Sequence, residues 1–292
     1  MNNEVLCLRG VSKSYEENHV LRSINFSVPK GCIMGLVGKN GAGKTTMIKC
    51  LLGIIRPDKG EAEVFGESSW NLSVKSKHRI GYVPQTHASF GWMKVEQMLN
   101  YTGAFYSHWN SQKVEALIKE WDLDKYAKIG TLSEGERQKL AIIQAMGHEP
   151  EVFIFDEPVA SLDPVARRKF IKQLIDMNIN ENNTVLFSTH ITSDLERVAA
   201  DVSLLKEGKI SYKGDLSTLK EQIVRLRIKS KKELPKPLLI PNMINISSNG
   251  TNAVVTVDGV NQQEIRQIEK KLSAVITIEQ LNLEDIFLEL NK

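Results

Sequence analysis

The run Ile33-Met34-Gly35-Leu36-Val37, followed by Gly38-Lys39-Asn40-Gly41-Ala42-Gly43-Lys44-Thr45, constrains the fold more than any other part of the chain. Five consecutive apolar residues suit a strand buried on both faces, as in a parallel sheet. The glycines that follow let the backbone curl into a tight loop. Lys44 to Leu52 then reads as a helix closed by Gly53. A strand, a G-x-x-x-x-G-K-T loop and a helix aim backbone N–H groups and the positive end of a helix dipole at one point, which makes a phosphate site. In such a loop Lys44 can reach the β- and γ-phosphates of a nucleotide, and the Thr45 hydroxyl can ligate Mg²⁺. The candidate phosphate-binding residues are Gly38, Asn40, Gly41, Ala42, Gly43, Lys44, Thr45 and Thr46.

A second apolar strand, Val152 to Phe155, delivers Asp156-Glu157-Pro158 at its end. Behind a phosphate loop, Asp156 is placed to hold the Mg²⁺ and Glu157 to orient or deprotonate the attacking water. Thr184 to Ser188 is a third apolar strand, with a helical stretch over 163–177 between the two. Alternating strands and helices predict an α/β sheet, parallel in its core, with helices on both faces. Val202–Leu205 and Ile210–Tyr212 read as strands joined by a turn at Glu207-Gly208-Lys209. The interval of about 86–140 is mainly helical in pattern and reads as an insertion. Its aromatic residues Trp92, Tyr101, Phe105, Tyr106, Trp109 and Trp121 are expected mostly in a core, with Trp92 equally open to a place on a partner surface.

Composition narrows the class by exclusion. Hydrophobic residues at 41% and charged residues at 25% are ordinary globular values. A formal net charge of +3 gives no general case for nucleic acid. The absence of any run of 18 apolar residues excludes a bilayer-spanning helix. Glu4 and the lack of an apolar stretch at the start argue against a secretory signal. Cys7, Cys32 and Cys50 have no metal-ligand spacing and read as reduced, mostly buried thiols.

The pattern changes near Leu219. Val224-Arg225-Leu226-Arg227-Ile228-Lys229 alternates, with one apolar and one basic face. Met243–Ser247 and Ala253–Val257 read as strands joined through Asn249-Gly250, a hairpin signal. Gln262–Leu272 fits a helix, Val275–Ile278 a strand and Leu283–Leu290 a last helix. Residues 1–218 are therefore one expected domain and 219–292 a small accessory α/β domain. The basic run Arg225–Lys236 reads as a solvated strand face, the alternative being contact with anionic lipid head groups. It has no aromatic interleaving of the kind that binds nucleic acid.

Over residues 4–215 the chain resembles the ATP-binding subunits of ATP-binding cassette (ABC) transporters, through seven elements in the family's order. Besides the phosphate loop and Asp156-Glu157, these are Tyr15, Gly81-Tyr82-Val83-Pro84-Gln85, Leu132-Ser133-Glu134-Gly135-Glu136, Ser161-Leu162-Asp163 and His190. The resemblance implies a P-loop ATPase domain with a mostly parallel core sheet, an N-terminal antiparallel β part and a helical insertion. It implies that Tyr15 stacks on adenine, that Gln85 contacts the metal and the water, and that His190 contacts the γ-phosphate. Ser133 and Gly135 of the signature loop would cap the γ-phosphate held on an opposite subunit, and Asp163 would lie in the loop crossing that interface. Glu134 and Glu136 stand where the family usually has glycine and glutamine, and both are expected to face solvent or a partner. The cofactors implied are ATP and Mg²⁺.

The partners implied are a second ATPase subunit, in a homodimer or heterodimer closed by ATP, and separately encoded transmembrane permease subunits, with no nucleic acid. The implied location is cytoplasmic, peripheral on the inner face of the cell membrane. The tail, with its ending Leu283 to Leu288, looks like that of ABC-2-type exporter ATPases, often for drugs or antimicrobial peptides. Alternatives are an importer subunit, or a non-transport ABC ATPase acting on ribosomes or DNA. A single cassette, and a spacing of 112 positions between Lys44 and Asp156, favour transport. Intact Lys44, Asp156, Glu157 and His190 argue against a non-hydrolysing regulatory partner.

Overall fold

The computed structural model describes residues 4–86 and 90–291. The chain divides into two compact units, Met1–His190 with Arg197–Lys213, and Ile191–Glu196 with Gly214–Lys292. The first unit opens with a long hairpin of β1 (Glu4–Tyr15) and β2 (Asn18–Pro29), followed by β3 (Ile33–Val37), α1 (Lys44–Leu51), β4 (Lys59–Val64), β5 (Glu67–Ser68), α2 (Val74–Lys77) and β6 (Ile80–Val83). Helices α3 (Val95–Gly103), α4 (Ser111–Glu120) and α5 (Glu134–Met146) come next. Then follow β7 (Val152–Asp156), α6 (Pro164–Glu181), β8 (Thr184–Thr189), α7 (Thr192–Val198), whose residues up to Glu196 belong to the second unit, β9 (Asp201–Lys206) and β10 (Lys209–Asp215).

Two sheets share this unit. One is antiparallel, in the order β2-β1-β4-β5; the other runs β10-β9-β3-β8-β7-β6. In the second, β9, β3, β8, β7 and β6 are parallel. Every residue of β3, β7 and β8 is buried, as continuous apolar runs covered on both faces require. Parallel strands put their carboxyl ends on one edge, so Val37, Val83, Asp156 and Thr189 finish side by side there. The register pairs Val37 with Thr189 and Asp156 with Ser188. Edges of this kind are where open α/β sheets bind ligands.

The helical insertion differs from the expectation of an aromatic core. Trp121 is buried, at 2% exposure, but Tyr101 and Phe105 are at the surface, and Trp92, 70% exposed, takes the surface place of its two open readings. Tyr106 and Trp109 are half-buried. The reason is the width of the apolar faces: α3 buries only Val95 and Leu99, and α4 only Val114, Leu117 and Ile118. Stripes that narrow leave the bulky residues on the opposite side. Phe90, Trp92, Tyr101 and Phe105 touch one another there, with ring centroids 5.1 to 6.1 Å apart from neighbour to neighbour.

The second unit holds α8 (Leu216–Gln222), β11 (Ile223–Ser230), β12 (Met243–Asn249), β13 (Asn252–Asp258), α9 (Gln262–Leu272), β14 (Ala274–Gln280) and α10 (Leu283–Leu290). Its sheet has the order β12-β13-β11-β14, with antiparallel neighbours. Val224, Leu226 and Ile228 pack with Val255, Val257 and Ile268. On the opposite face the basic run is partly neutralised: Arg227 pairs with Glu279 at 2.6 Å, and Arg225 with Glu289 at 3.1 Å. Glu196 belongs to this unit through the Leu283 N–H, which donates to its carboxylate at 2.8 Å, and through Lys220 at 3.0 Å. Among the described residues no helix is long and apolar enough to cross a membrane.

Candidate nucleotide site

The loop after β3 takes its shape from glycine. Gly41 and Gly43 have φ of 81° and 107°, a region that side-chain-bearing residues rarely adopt. A Cβ at Gly43 would also stand 2.9 Å from Leu21 Cδ2 and 3.0 Å from the Val20 carbonyl. No acidic residue occupies the first turn of α1, so its dipole end is left for an external anion. Asn40, Gly41, Gly43, Lys44, Thr45 and Thr46 line one cleft of about 340 Å³ together with Gln85 and Glu157. Gly38 and Ala42 lie buried behind it. A larger cleft of about 670 Å³, beside Arg56 and Trp70, contains none of the motif residues.

The strand ends supply a connected polar network. Lys44 Nζ donates to the Gly38 carbonyl at 2.7 Å and pairs with Glu157 Oε1 at 3.0 Å. The other oxygen, Glu157 Oε2, lies 2.8 Å from His190 Nδ1 and accepts from the His190 N–H at 3.3 Å. A carboxylate only accepts, so Nδ1 carries the hydrogen. Glu157 itself sits at φ 53°, held in that left-handed conformation by its N–H, which donates to the Ser188 carbonyl at 3.1 Å and to Ser188 Oγ at 3.0 Å.

Ser188 Oγ in turn donates to Asp156 Oδ1 at 2.7 Å. Asp156 is fully buried, and its Oδ2 has no hydrogen-bond partner among the described residues. An unpartnered buried carboxylate oxygen is costly unless something positive reaches it, so the donor set fits a hard cation such as Mg²⁺. Burial, with the Asp156 charge added, pushes the neighbouring Tyr82 hydroxyl up to about 12.

Tyr15, Ser133, Gly135 and Asp163 lie apart from both the cleft and this network. Tyr15 ends β1 with its ring 45% exposed; it pairs across the hairpin with Asn18, which does line the cleft. Ser133 is the N-cap of α5 and Asp163 the N-cap of α6. Gly135 brings the signature loop against the chain before Asp163, since a Cβ there would stand 2.9 Å from the Ser161 carbonyl. Ser133, Gly135 and Asp163 thus belong to a second polar cluster.

Within that cluster one expectation is corrected. Glu134 is exposed as expected, but Glu136 is half-buried and turned back on the helix end. Its Oε2 accepts from Ser133 Oγ at 2.7 Å and from the Ser133 N–H at 2.8 Å. The cause is the Ser-x-x-Glu spacing, which forms a reciprocal capping box.

The structure also adds Ser188, which sequence reasoning passed over as part of an apolar strand. Its signal was a hydroxyl near the carboxyl end of that strand.

A phosphate loop at the carboxyl edge of a parallel sheet, facing a buried acid pair, defines the class of P-loop nucleoside triphosphatases. The ABC transporter family pattern matches residues 21–160. The chain is 34% identical over 239 residues to the uncharacterized ABC transporter ATP-binding protein YxlF of Bacillus subtilis, covering 78% of each chain. It is 30% identical to the bacitracin transport ATP-binding protein BcrA of Bacillus licheniformis, over 68% of this chain and 66% of that one. It is 28% identical to the phosphonates import ATP-binding protein PhnC of Treponema denticola, over 77% and 94%. A solved ATP-binding subunit of an ABC transporter superposes with a TM-score of 0.66 at 27% identity, over 74% of this chain and 92% of that one. The chain belongs to the ABC transporter ATP-binding family and is an ATPase.

Proposed function

We propose that the chain hydrolyses Mg·ATP to drive export through separately encoded membrane subunits, and that two ATPase chains close over the nucleotide. The observation that carries this reading is the convergence of Lys44 and His190 on the Glu157 carboxylate, beside the phosphate loop and the unpartnered Asp156 oxygen. Thr45, Gln85 and Asp156 would hold Mg²⁺, which when bound polarises the phosphate oxygens. The loop amides and Lys44 bind the β- and γ-phosphates, and Tyr15 stacks on the adenine. A γ-phosphate gives Lys44 a new anionic partner, which releases Glu157 to accept the proton of the attacking water. His190 then contacts the γ-phosphate from the end of β8.

Ser133, Gly135 and Asp163 lie outside the cleft, as expected if they complete the site of an opposing chain. The exposed rings of Phe90, Trp92, Tyr101 and Phe105 offer an aromatic surface for the permease. The chain would then sit on the inner membrane face through that partner. The accessory unit and the bacitracin transport relative support export; the phosphonates import relative supports import. Accumulation of substrate inside or outside vesicles carrying the complete transporter decides the direction.

The shared-site mechanism is tested with Glu157→Gln at millimolar Mg·ATP. Light scattering is expected to show a dimer, while a strictly monomeric variant contradicts closure of two copies and points to a different second cassette.

A further inference from the structure

The two polar clusters have something in common that the family resemblance does not supply. Each group meant for a phosphate is already held by a carboxylate of this chain: Lys44 by Glu157 at 3.0 Å, and the Ser133 hydroxyl by Glu136 at 2.7 Å. A serine hydroxyl has one proton to donate. While that proton is on Glu136 it is not available to a phosphate oxygen. The same carboxylate oxygen also takes the Ser133 N–H, so an anion already sits at the start of α5.

The backbone of the loop is already packed against its neighbour. Gly135 is packed so closely on the Ser161 carbonyl that a Cβ would stand 2.9 Å away. The freedom left is rotation of two side chains, and Glu136 is near enough to the surface to swing into solvent. The bonds from Ser133 also hold the Glu136 carboxyl below the usual carboxylate range, with Lys139 adding to the effect, so it stays ionised at neutral pH.

We propose that Glu136 is a positioning residue acting through Ser133: it holds the signature hydroxyl as an internal stand-in for phosphate, and it must be displaced before two chains can close on ATP. This rests on the reading of the preceding subsection and adds a regulation to it. Glu136 sets the ATP concentration at which closure begins, and the chain idles at low ATP.

The test uses the full chain, with ATP hydrolysis measured against ATP concentration and the unfolding midpoint measured by heat. Glu136→Gln keeps an oxygen that can accept from Ser133 but removes the charge. Its midpoint is expected to stay near that of the wild type. Its half-saturating ATP is expected to fall about 3- to 10-fold, because a neutral acceptor holds the Ser133 hydroxyl less tightly than a charged one. The change should be larger in half-saturation than in maximal rate. Glu136→Ala should also lower half-saturating ATP, but with a lower midpoint because the cap is lost. With Ser133→Ala in the background, the Glu136→Gln effect should vanish.

Wild-type half-saturation in Glu136→Gln, or an effect that persists without the Ser133 hydroxyl, overturns the inference and leaves the ATPase reading intact. A wild-type chain that does not turn over Mg·ATP overturns the functional reading and the inference with it.

Discussion

Replacing Ser188 with alanine isolates the hydroxyl that joins the two catalytic carboxylates. Ser188 Oγ donates to Asp156 Oδ1 at 2.7 Å and accepts the Glu157 N–H at 3.0 Å. The alanine variant strips Asp156 of that bond and leaves the carboxylate fully buried. A hydrogen bond to a buried charged group contributes about 1.5–3 kcal/mol. The Glu157 N–H keeps the Ser188 carbonyl at 3.1 Å, so the loss is confined to the Asp156 side. For a unit of this size each kcal/mol moves the unfolding midpoint by about 2–4 °C, so a drop of about 3–12 °C is expected without nucleotide. An orienting partner behind a metal-binding carboxylate is commonly worth a factor of 10 or more in metal affinity. Half-saturating Mg²⁺ for ATP hydrolysis is therefore expected to rise about tenfold. Circular dichroism on heating and a Mg²⁺ titration of turnover measure the two effects. A Ser188→Ala chain that unfolds at the wild-type temperature and needs no more Mg²⁺ refutes this role for Ser188, and with it the placing of the metal at Asp156.

Burial holds His148 down to about 4, while the unfolded chain takes up the proton near 6.5. The unfolded state therefore binds more protons between pH 6.5 and 4, and stability falls as pH drops through that window, by up to about 3 kcal/mol. Denaturant unfolding across the window should show a steeper loss in the wild type than in His148→Gln, and equal slopes contradict it. Gly43→Ala puts a side chain at φ 107°, 2.9 Å from Leu21 Cδ2. It should weaken nucleotide binding more than tenfold and lower the unfolding midpoint, whereas wild-type binding by calorimetry would show that the loop is not the phosphate cradle.

What the sequence made legible was local. The phosphate loop, its strand and its helix lie within 20 residues, and β3 and α9 have the bounds that pattern alone assigned. Asp156 and Glu157 were found because an apolar run delivers them. Ser188 escaped because its importance comes from register, the pairing of Asp156 with Ser188 across β7 and β8, and register is set by contacts between distant residues. The aromatics of the insertion were misplaced for a related reason. Composition marks Tyr101 and Trp121 alike, while the covering elements that bury one and leave the other at the surface are not local. Glu136 was legible and misread: Ser133 and Glu136 have the spacing of a capping box, but attention to its charge near a phosphate directed it outward.

The central claim, that Glu157 activates water at a site built on Lys44, is tested most directly by phosphate release from Mg·ATP for the wild type, Glu157→Gln and Lys44→Ala. The wild type should turn over slowly by itself. Glu157→Gln should bind ATP and lose at least 99% of the rate, the low end of what a general base contributes. Lys44→Ala should lose binding as well. A Glu157→Gln chain that hydrolyses ATP at the wild-type rate would contradict the claim.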